Sequence, residues 1–463
     1  MKKILYGLLT ACLLTGSFSS CNSKLDVEPT DSIDAANALR TSADVEAALV
    51  GCYTGLQDED AYGGNIQLLS DLLADNGEIS FVGTFIPPNQ AARKQILKDN
   101  GFVTSIWTNA YDVINRTNNV LANLDKLDTP AKQARVEGEA KFIRSLLYFD
   151  LVRLYARDWN DGNPQTNPGV PLVLTPTRTI SAESQVRRNT VAEVYAQILT
   201  DLTTAEARLI TANPANNNGF FANRYAVAAL LSRVYLQQSK FAESAAAANR
   251  VISSGRYSLT PSYADEFTSS NDLLGNTSED IFAIQISSQS GANELNTYYS
   301  VNRRADVNIN DQLIDQFEPG DERLDLISID PTGGPAYSSK YDVLYGNIKL
   351  FRLAEMYLNR AEGNFRAGTS VGATPLADIN RIRQRAGLAP LVTLTLNAIL
   401  KERRLELALE GFRLGDLKRN RESTVDLGNP PVTLPYNSPR LIFPIPLREI
   451  NANPNLVQNE GYQ

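Results

Sequence analysis

The stretch from Thr129 to Arg157 constrains the fold of this chain more than any other part of it. Thr129 has the chemistry of a helix cap and Pro130 suits the first helical position. Beyond them Val136, Ala140, Ile143, Leu147, Leu151 and Leu154 recur at helical spacing. A helix of this length runs roughly 40 Å and needs apolar neighbours along its whole course. The same periodicity predicts helices near 42–57, 65–75, 106–127, 191–212, 222–238, 241–254, 348–366, 375–386 and 396–419. The alternating run from Asp280 to Ile286 predicts one of a few short strands. The class is mainly α. Stretches rich in Gly, Asn and Pro at 158–178, 213–219, 269–280 and 328–347 are too long for simple connectors, which marks them as candidate binding loops.

Three helices repeat one local pattern. Leu151 and Tyr155, Leu231 and Tyr235, and Leu353 and Tyr357 each stand four residues apart on one face. After the second pair, Gln238-Ser239-Lys240-Phe241 leads into an Ala-rich helix, which reads as a tetratricopeptide-like unit. The copies are unevenly spaced, so the expected architecture is a helical scaffold with irregular loop-rich insertions rather than a tandem solenoid.

Composition removes several kinds of chemistry. None of the 463 residues is histidine, which excludes Ser-His-Asp and Cys-His nucleophile systems and histidine-ligated metals. A formal charge of −8 argues against a nucleic-acid partner. At the N-terminus, Lys2 and Lys3 precede an apolar run from Ile4 to Leu14 and small residues up to Ser20, the layout of a secretory signal peptide over 1–20. Cys21 then sits where a bacterial lipobox places its acylated cysteine, and 21–31 reads as a lipidated tether. Cys12 would leave with the leader. That isolates Cys52, which lies on the apolar stripe with Val45, Leu49 and Leu56 and is expected in the core. Residues 32–463 are expected to form one domain.

Five further motifs follow in order. The run Glu137-Gly138-Glu139-Ala140-Lys141-Phe142-Ile143-Arg144-Ser145-Leu146-Leu147-Tyr148-Phe149-Asp150-Leu151 precedes Val170-Pro171-Leu172-Val173. Arg352-Leu353-Ala354-Glu355-Met356-Tyr357-Leu358-Asn359-Arg360-Ala361-Glu362 is the second, and Asn380-Arg381-Ile382-Arg383-Gln384-Arg385-Ala386-Gly387-Leu388 the third. The fourth joins Glu402-Arg403-Arg404-Leu405-Glu406, Gly411-Phe412-Arg413 and Asp416-Leu417-Lys418-Arg419, and Phe443-Pro444-Ile445-Pro446 through Gln458-Asn459 closes the chain. Together these resemble the SusD/RagB outer-membrane lipoproteins of bacteroidetes. The resemblance implies a surface lipoprotein anchored through Cys21 that captures a glycan and delivers it to a SusC-type TonB-dependent transporter. It implies no catalysis.

Residue chemistry leaves alternatives. Glu402, Glu406 and Glu410 could suggest paired acids for glycoside hydrolysis, but interleaved arginines suit a structural ion network better. Asp158, Asn160 and Asp161 invite a calcium reading, yet Gly162 and the missing closing Glu break the loop spacing, so no metal or other cofactor is expected. A glycan face calls for flat aromatic surfaces beside hydrogen-bonding groups. Phe81, Phe85, Trp159, Tyr298 and Tyr299, with Asn302 and Arg303, are the candidate ligand-binding residues, whereas Trp107 reads as core. A peptide-capturing RagB-like member and a periplasm-facing tetratricopeptide scaffold remain as the alternative functions.

Overall fold

The computed structural model describes residues 39–179, 181–209, 219–268, 273–329 and 333–462. The leader, Cys21 and the tether lie outside these residues. The first third holds α1 (Ser42–Leu56), α2 (Asn65–Ala74), β1 (Ile79–Phe81), α3 (Ile86–Ala92), α4 (Gly101–Leu121) and α5 (Pro130–Tyr155). The middle holds α6 (Val191–Arg208), α7 (Arg224–Gln237), α8 (Phe241–Ile252), β2 (Asp280–Ile284), α9 (Glu294–Tyr299), β3 (Val307–Ile309), α10 (Asp311–Ile314) and β4 (Ile348–Arg352). The last part adds α11 (Leu353–Ala367), α12 (Pro375–Arg385), α13 (Leu396–Glu406), α14 (Arg413–Arg419), β5 (Thr424–Asp426), β6 (Val432–Leu434) and α15 (Leu447–Ala452).

The long helix α5 starts as its sequence requires: the Thr129 hydroxyl accepts the Lys132 N–H at 3.2 Å and Pro130 occupies the first turn. From Phe142 to Val152 every side chain is buried, because α4, α6 and α7 pack against different faces. Arg144, inside that run, is made tolerable by a two-pronged pair with Asp201 at 2.8 and 2.9 Å. Tyr155 and Trp107 meet edge to face at 5.0 Å, which places Trp107 in the core. Cys52 is buried as its stripe demands, and burial pushes its thiol up to about 12.

The helices α7 and α8 form the tetratricopeptide-like hairpin. Ser239 turns the chain at φ 58°, and Ala245, Ala247 and Ala248 let α8 lie close to its neighbours. On the far side α11 presses against α8 at Gly363, where a Cβ would stand 2.6 Å from the Phe241 carbonyl oxygen and 2.9 Å from Ala245 Cβ. Neither atom can give way without moving the backbone. Gly363→Ala is therefore expected to lower stability by about 1–3 kcal/mol, read from the midpoint of urea unfolding.

Two helix expectations are corrected. Residues 348–352 form β4 rather than the start of a helix, since a partner strand is present: Ile284 pairs with Ile348 and Asp280 with Arg352 across an antiparallel ladder. The run 396–419 is two helices, not one. Leu409 at φ 65° and Gly411 at φ 80° turn the chain between α13 and α14, and a Gly411 Cβ would lie 2.7 Å from Gln67 Cα.

Candidate functional site

Strands β1 and β3, some 230 residues apart in sequence, pair antiparallel with Phe81 opposite Val307. The approach to β1 is fixed by Asp75, whose carboxylate accepts the N–H groups of Gly77, Glu78 and Ile79 at 2.8–3.0 Å. Asn310 ties the ribbon from the other side, donating to the Gly77 carbonyl at 3.0 Å and to Ser80 Oγ at 2.8 Å. Beyond the ladder the two loops stay locked together. The Val82 N–H donates to the Asp306 carbonyl at 2.8 Å, and the Asp306 side chain occupies the space a Gly83 Cβ would need. Arg304 donates to Asp306 at 2.9 Å and lays its guanidinium 4.3 Å from the centre of the Phe85 ring. Ala305 accepts a left-handed φ of 49° to make this turn.

The outer edge of this loop pair is apolar and open. Phe85 is 41% exposed and Ile86 70%, with Val82 and Val301 also more than half exposed. Asn302 and Arg303 stand exposed beside them. The structure thus brings Phe85 against Arg304, with Asn302 and Arg303 exposed in the turn just before Arg304 and Phe81 half-buried against the core.

Tyr298 and Tyr299 are corrected. Both are on the buried side of α9, Tyr298 at 2% exposure and Tyr299 at 0%, and Tyr299 packs 5.5 Å from the Tyr341 ring. They support the surface from below and cannot present a ring to a ligand. Trp159 lies apart from the loop pair, half-buried edge to face with Tyr195 at 5.1 Å, where it seals the end of α5. Asp158 beside it takes the Asn160 N–H at 2.9 Å and a Gln237 amide proton, and Asp161 pairs with Arg157. Val82, Ile86, Val301 and Arg304 are additions to the candidate surface. The apolar pair Phe85-Ile86 before Pro87-Pro88 was a legible signal, whereas the stacking of Arg304 on Phe85 was not.

The acids Glu402 and Glu406 on α13 and Glu410 in the turn after it take partners from distant segments rather than from the neighbouring arginines. Glu402 accepts from Arg323 at 2.6 Å; Glu406 accepts from Arg352 at 3.1 Å and pairs with Arg385; Glu410 accepts from Lys340 at 2.6 Å and Arg352 at 2.7 Å. Burial by itself would raise Glu406, but Arg385, Arg352 and Arg323 outweigh it and hold its carboxyl down to about 2. A carboxyl held this low stays ionised and cannot serve as a general acid near neutrality.

The fold is a helical body from which the loops 82–86 and 301–304 present a partly apolar surface. Residues 25–236 match a SusD-like family model described as starch-binding and associating with the outer membrane, and residues 328–462 match the SusD/RagB model. The chain belongs to the SusD/RagB family. It is 24% identical to the SusD-like protein P38 of Formosa agariphila over 96% of this chain and 97% of that one. It is 27% identical to P25 of the same organism, where the match spans 57% of this chain and about half (49%) of that relative. A 128-residue stretch, 25% of this chain and 22% of the relative, is 38% identical to the starch-binding protein SusD of Bacteroides thetaiotaomicron. A SusD superfamily structure from that bacterium superposes with TM-score 0.78 at 25% identity, over 90% of this chain and 99% of the other. Among the described residues no helix is long and apolar enough to cross a membrane.

Proposed function

We propose that this protein is a glycan-capturing lipoprotein of the outer membrane whose ligand face is the surface of the loops 82–86 and 301–304. The observation that carries this reading is the interlocked pair of loops. Segments from distant parts of the chain are locked into one rigid edge that exposes Phe85, Ile86 and Val301 beside the donors of Asn302 and Arg303. Such an edge meets the two demands of a sugar ring, an apolar surface for its C–H face and donors for its hydroxyls. Because the loops are already fixed, little ordering entropy opposes binding. The family model's description and the name of the Bacteroides thetaiotaomicron relative favour a carbohydrate as ligand.

In this reading Cys21 carries the lipid, the body faces outward, and the glycan passes to a SusC-type TonB-dependent transporter. The protein binds and does not cleave, needs no cofactor, and has no nucleic-acid partner. Phe85→Ala is expected to weaken binding of a linear oligosaccharide such as maltoheptaose or laminariheptaose about tenfold by isothermal titration. An unchanged affinity for every oligosaccharide the protein binds would remove this face from the site. Capture of peptides alone would replace the glycan reading.

A further inference from the structure

At the far end of α3 from Phe85, a cavity of about 330 Å³ opens between the Lys94–Lys98 turn, Pro439–Arg440 and Gly461–Tyr462. Its lining includes Lys94, Lys98 and Arg440 and, among the described residues, no Asp or Glu. In a chain of formal charge −8 that imbalance stands out as a local reversal of sign. Asp99, exposed on the same turn, lies outside the lining.

The three cations are held in different ways. Arg440 donates from Nε to the Lys94 carbonyl at 2.7 Å and from Nη2 to the Arg93 carbonyl at 3.2 Å, and pairs with Asp426 behind the wall. Its side chain is still about one-third (35%) exposed. Lys98 is half-buried and makes no ion pair among the described residues. The Lys94 ammonium is buried with no hydrogen-bond acceptor. Burial pulls its pKa down, while the carboxylates of Asp75 and Asp426 oppose that shift from beyond bonding distance. The remaining walls include Leu97, Pro439 and Tyr462, whose hydroxyl donates to the Ile442 carbonyl at 2.8 Å and so fixes its ring.

We propose that this cavity is a second subsite, which takes an oxyanion substituent of the captured glycan, a sulfate ester or a uronic carboxylate. A concave, partly desolvated wall of one sign concentrates field and favours an anion over a neutral hydroxyl. The guanidinium of Arg440 and the ammonium of Lys98 offer charge-assisted hydrogen bonds, the strong kind. The inference rests on the capture reading, since what links the two places is α3. That helix begins at Ile86, on the exposed edge, and ends at Ala92, next to the turn, a rise of about 10 Å that one extended saccharide can follow.

The test is isothermal titration of the full-length protein with a sulfated heparin-derived hexasaccharide, hexagalacturonate, neutral maltohexaose and inorganic sulfate. Wild type is compared with Lys98→Gln, Arg440→Gln and Phe85→Ala, each checked for an unchanged unfolding midpoint. At least one acidic hexasaccharide should bind more tightly than the neutral one, with an advantage that shrinks as salt is raised. Lys98→Gln should reduce acidic binding about tenfold and leave neutral binding unchanged. Because heparin carries uronic carboxylates as well as sulfates, a response to hexagalacturonate identifies the carboxylate, and a response to the heparin hexasaccharide without one to hexagalacturonate identifies the sulfate. If acidic and neutral sugars bind alike, or if Lys98→Gln and Arg440→Gln leave acidic binding unchanged while Phe85→Ala weakens it, the subsite is overturned and glycan capture stands. If inorganic sulfate binds and no saccharide does, capture itself fails, and with it the assignment of this cavity to a glycan.

Discussion

Replacing Arg352 with alanine is expected to cost about 3–5 kcal/mol of stability, enough to leave a protein of this size partly unfolded. Arg352 is 2% exposed and its guanidinium is used on every side. Nη1 donates to Glu279 at 2.7 Å and to Glu406 at 3.1 Å; Nε and Nη2 donate to Glu410 at 2.9 and 2.7 Å. Removing it leaves three buried carboxylates with fewer cations than they need, and an unpaired buried charge costs more than the pair contributed. Arg352→Lys keeps the charge and loses the fork, so it should fall between wild type and alanine. The measurement is urea unfolding at pH 7, and a loss below 1 kcal/mol for the alanine variant would contradict the network's role. The same cluster gives an acid limb. Glu406 is held to about 2, below its ordinary 4.5, so its contribution is complete above pH 4.5 and disappears as the pH falls toward 2.

Asp71→Asn should have the opposite pH signature. The Asp71 carboxyl is buried, and burial pushes it up to about 7, although the Gly411 N–H and the Lys340 charge favour its ionised form. Between pH 3.8 and 7 the folded chain thus binds more protons at this site than the unfolded chain, so stability falls as pH rises across that window. A shift of this size corresponds to roughly 4 kcal/mol at its limit. The asparagine variant still offers an oxygen to the Gly411 N–H but cannot ionise. Its stability relative to wild type should rise through pH 4–7 and level off above about 8. Parallel urea titrations of both proteins from pH 4 to 8.5 check this, and a constant difference across the range would show that Asp71 titrates normally.

The cap at Thr129, the stripe from Val136 to Leu154 and the alanines of α8 are local features, and each element they announce is present. Where local pattern misled, tertiary contact decided. Residues 348–352 satisfy a helical reading as well as an extended one, and only the presence of Asp280–Ile284 alongside makes them a strand. The α13–α14 break is made by the left-handed backbone at Leu409 and Gly411, with Gln67 packed where a Gly411 Cβ would go. The candidate site divides in the same way. Aromatic residues in polar segments drew attention to both Phe85 and Tyr299, but side-chain type does not say which way a ring faces. Helix α9 turns Tyr298 and Tyr299 inward while the chain beyond β1 turns Phe85 out.

By itself the sequence determined a helical scaffold, because that rests on spacing along one chain, and its motifs carried the resemblance to the family. It also determined that histidine chemistry has no place here. The tertiary structure alone decided which acids meet which bases, since the partners of Glu406 come from residues 323, 352 and 385 rather than from its neighbours. It alone joined the loops after β1 and before β3 into one edge, and placed Lys98 and Arg440 around one cavity. Pairings across hundreds of residues depend on how the helices pack, and no local periodicity encodes them.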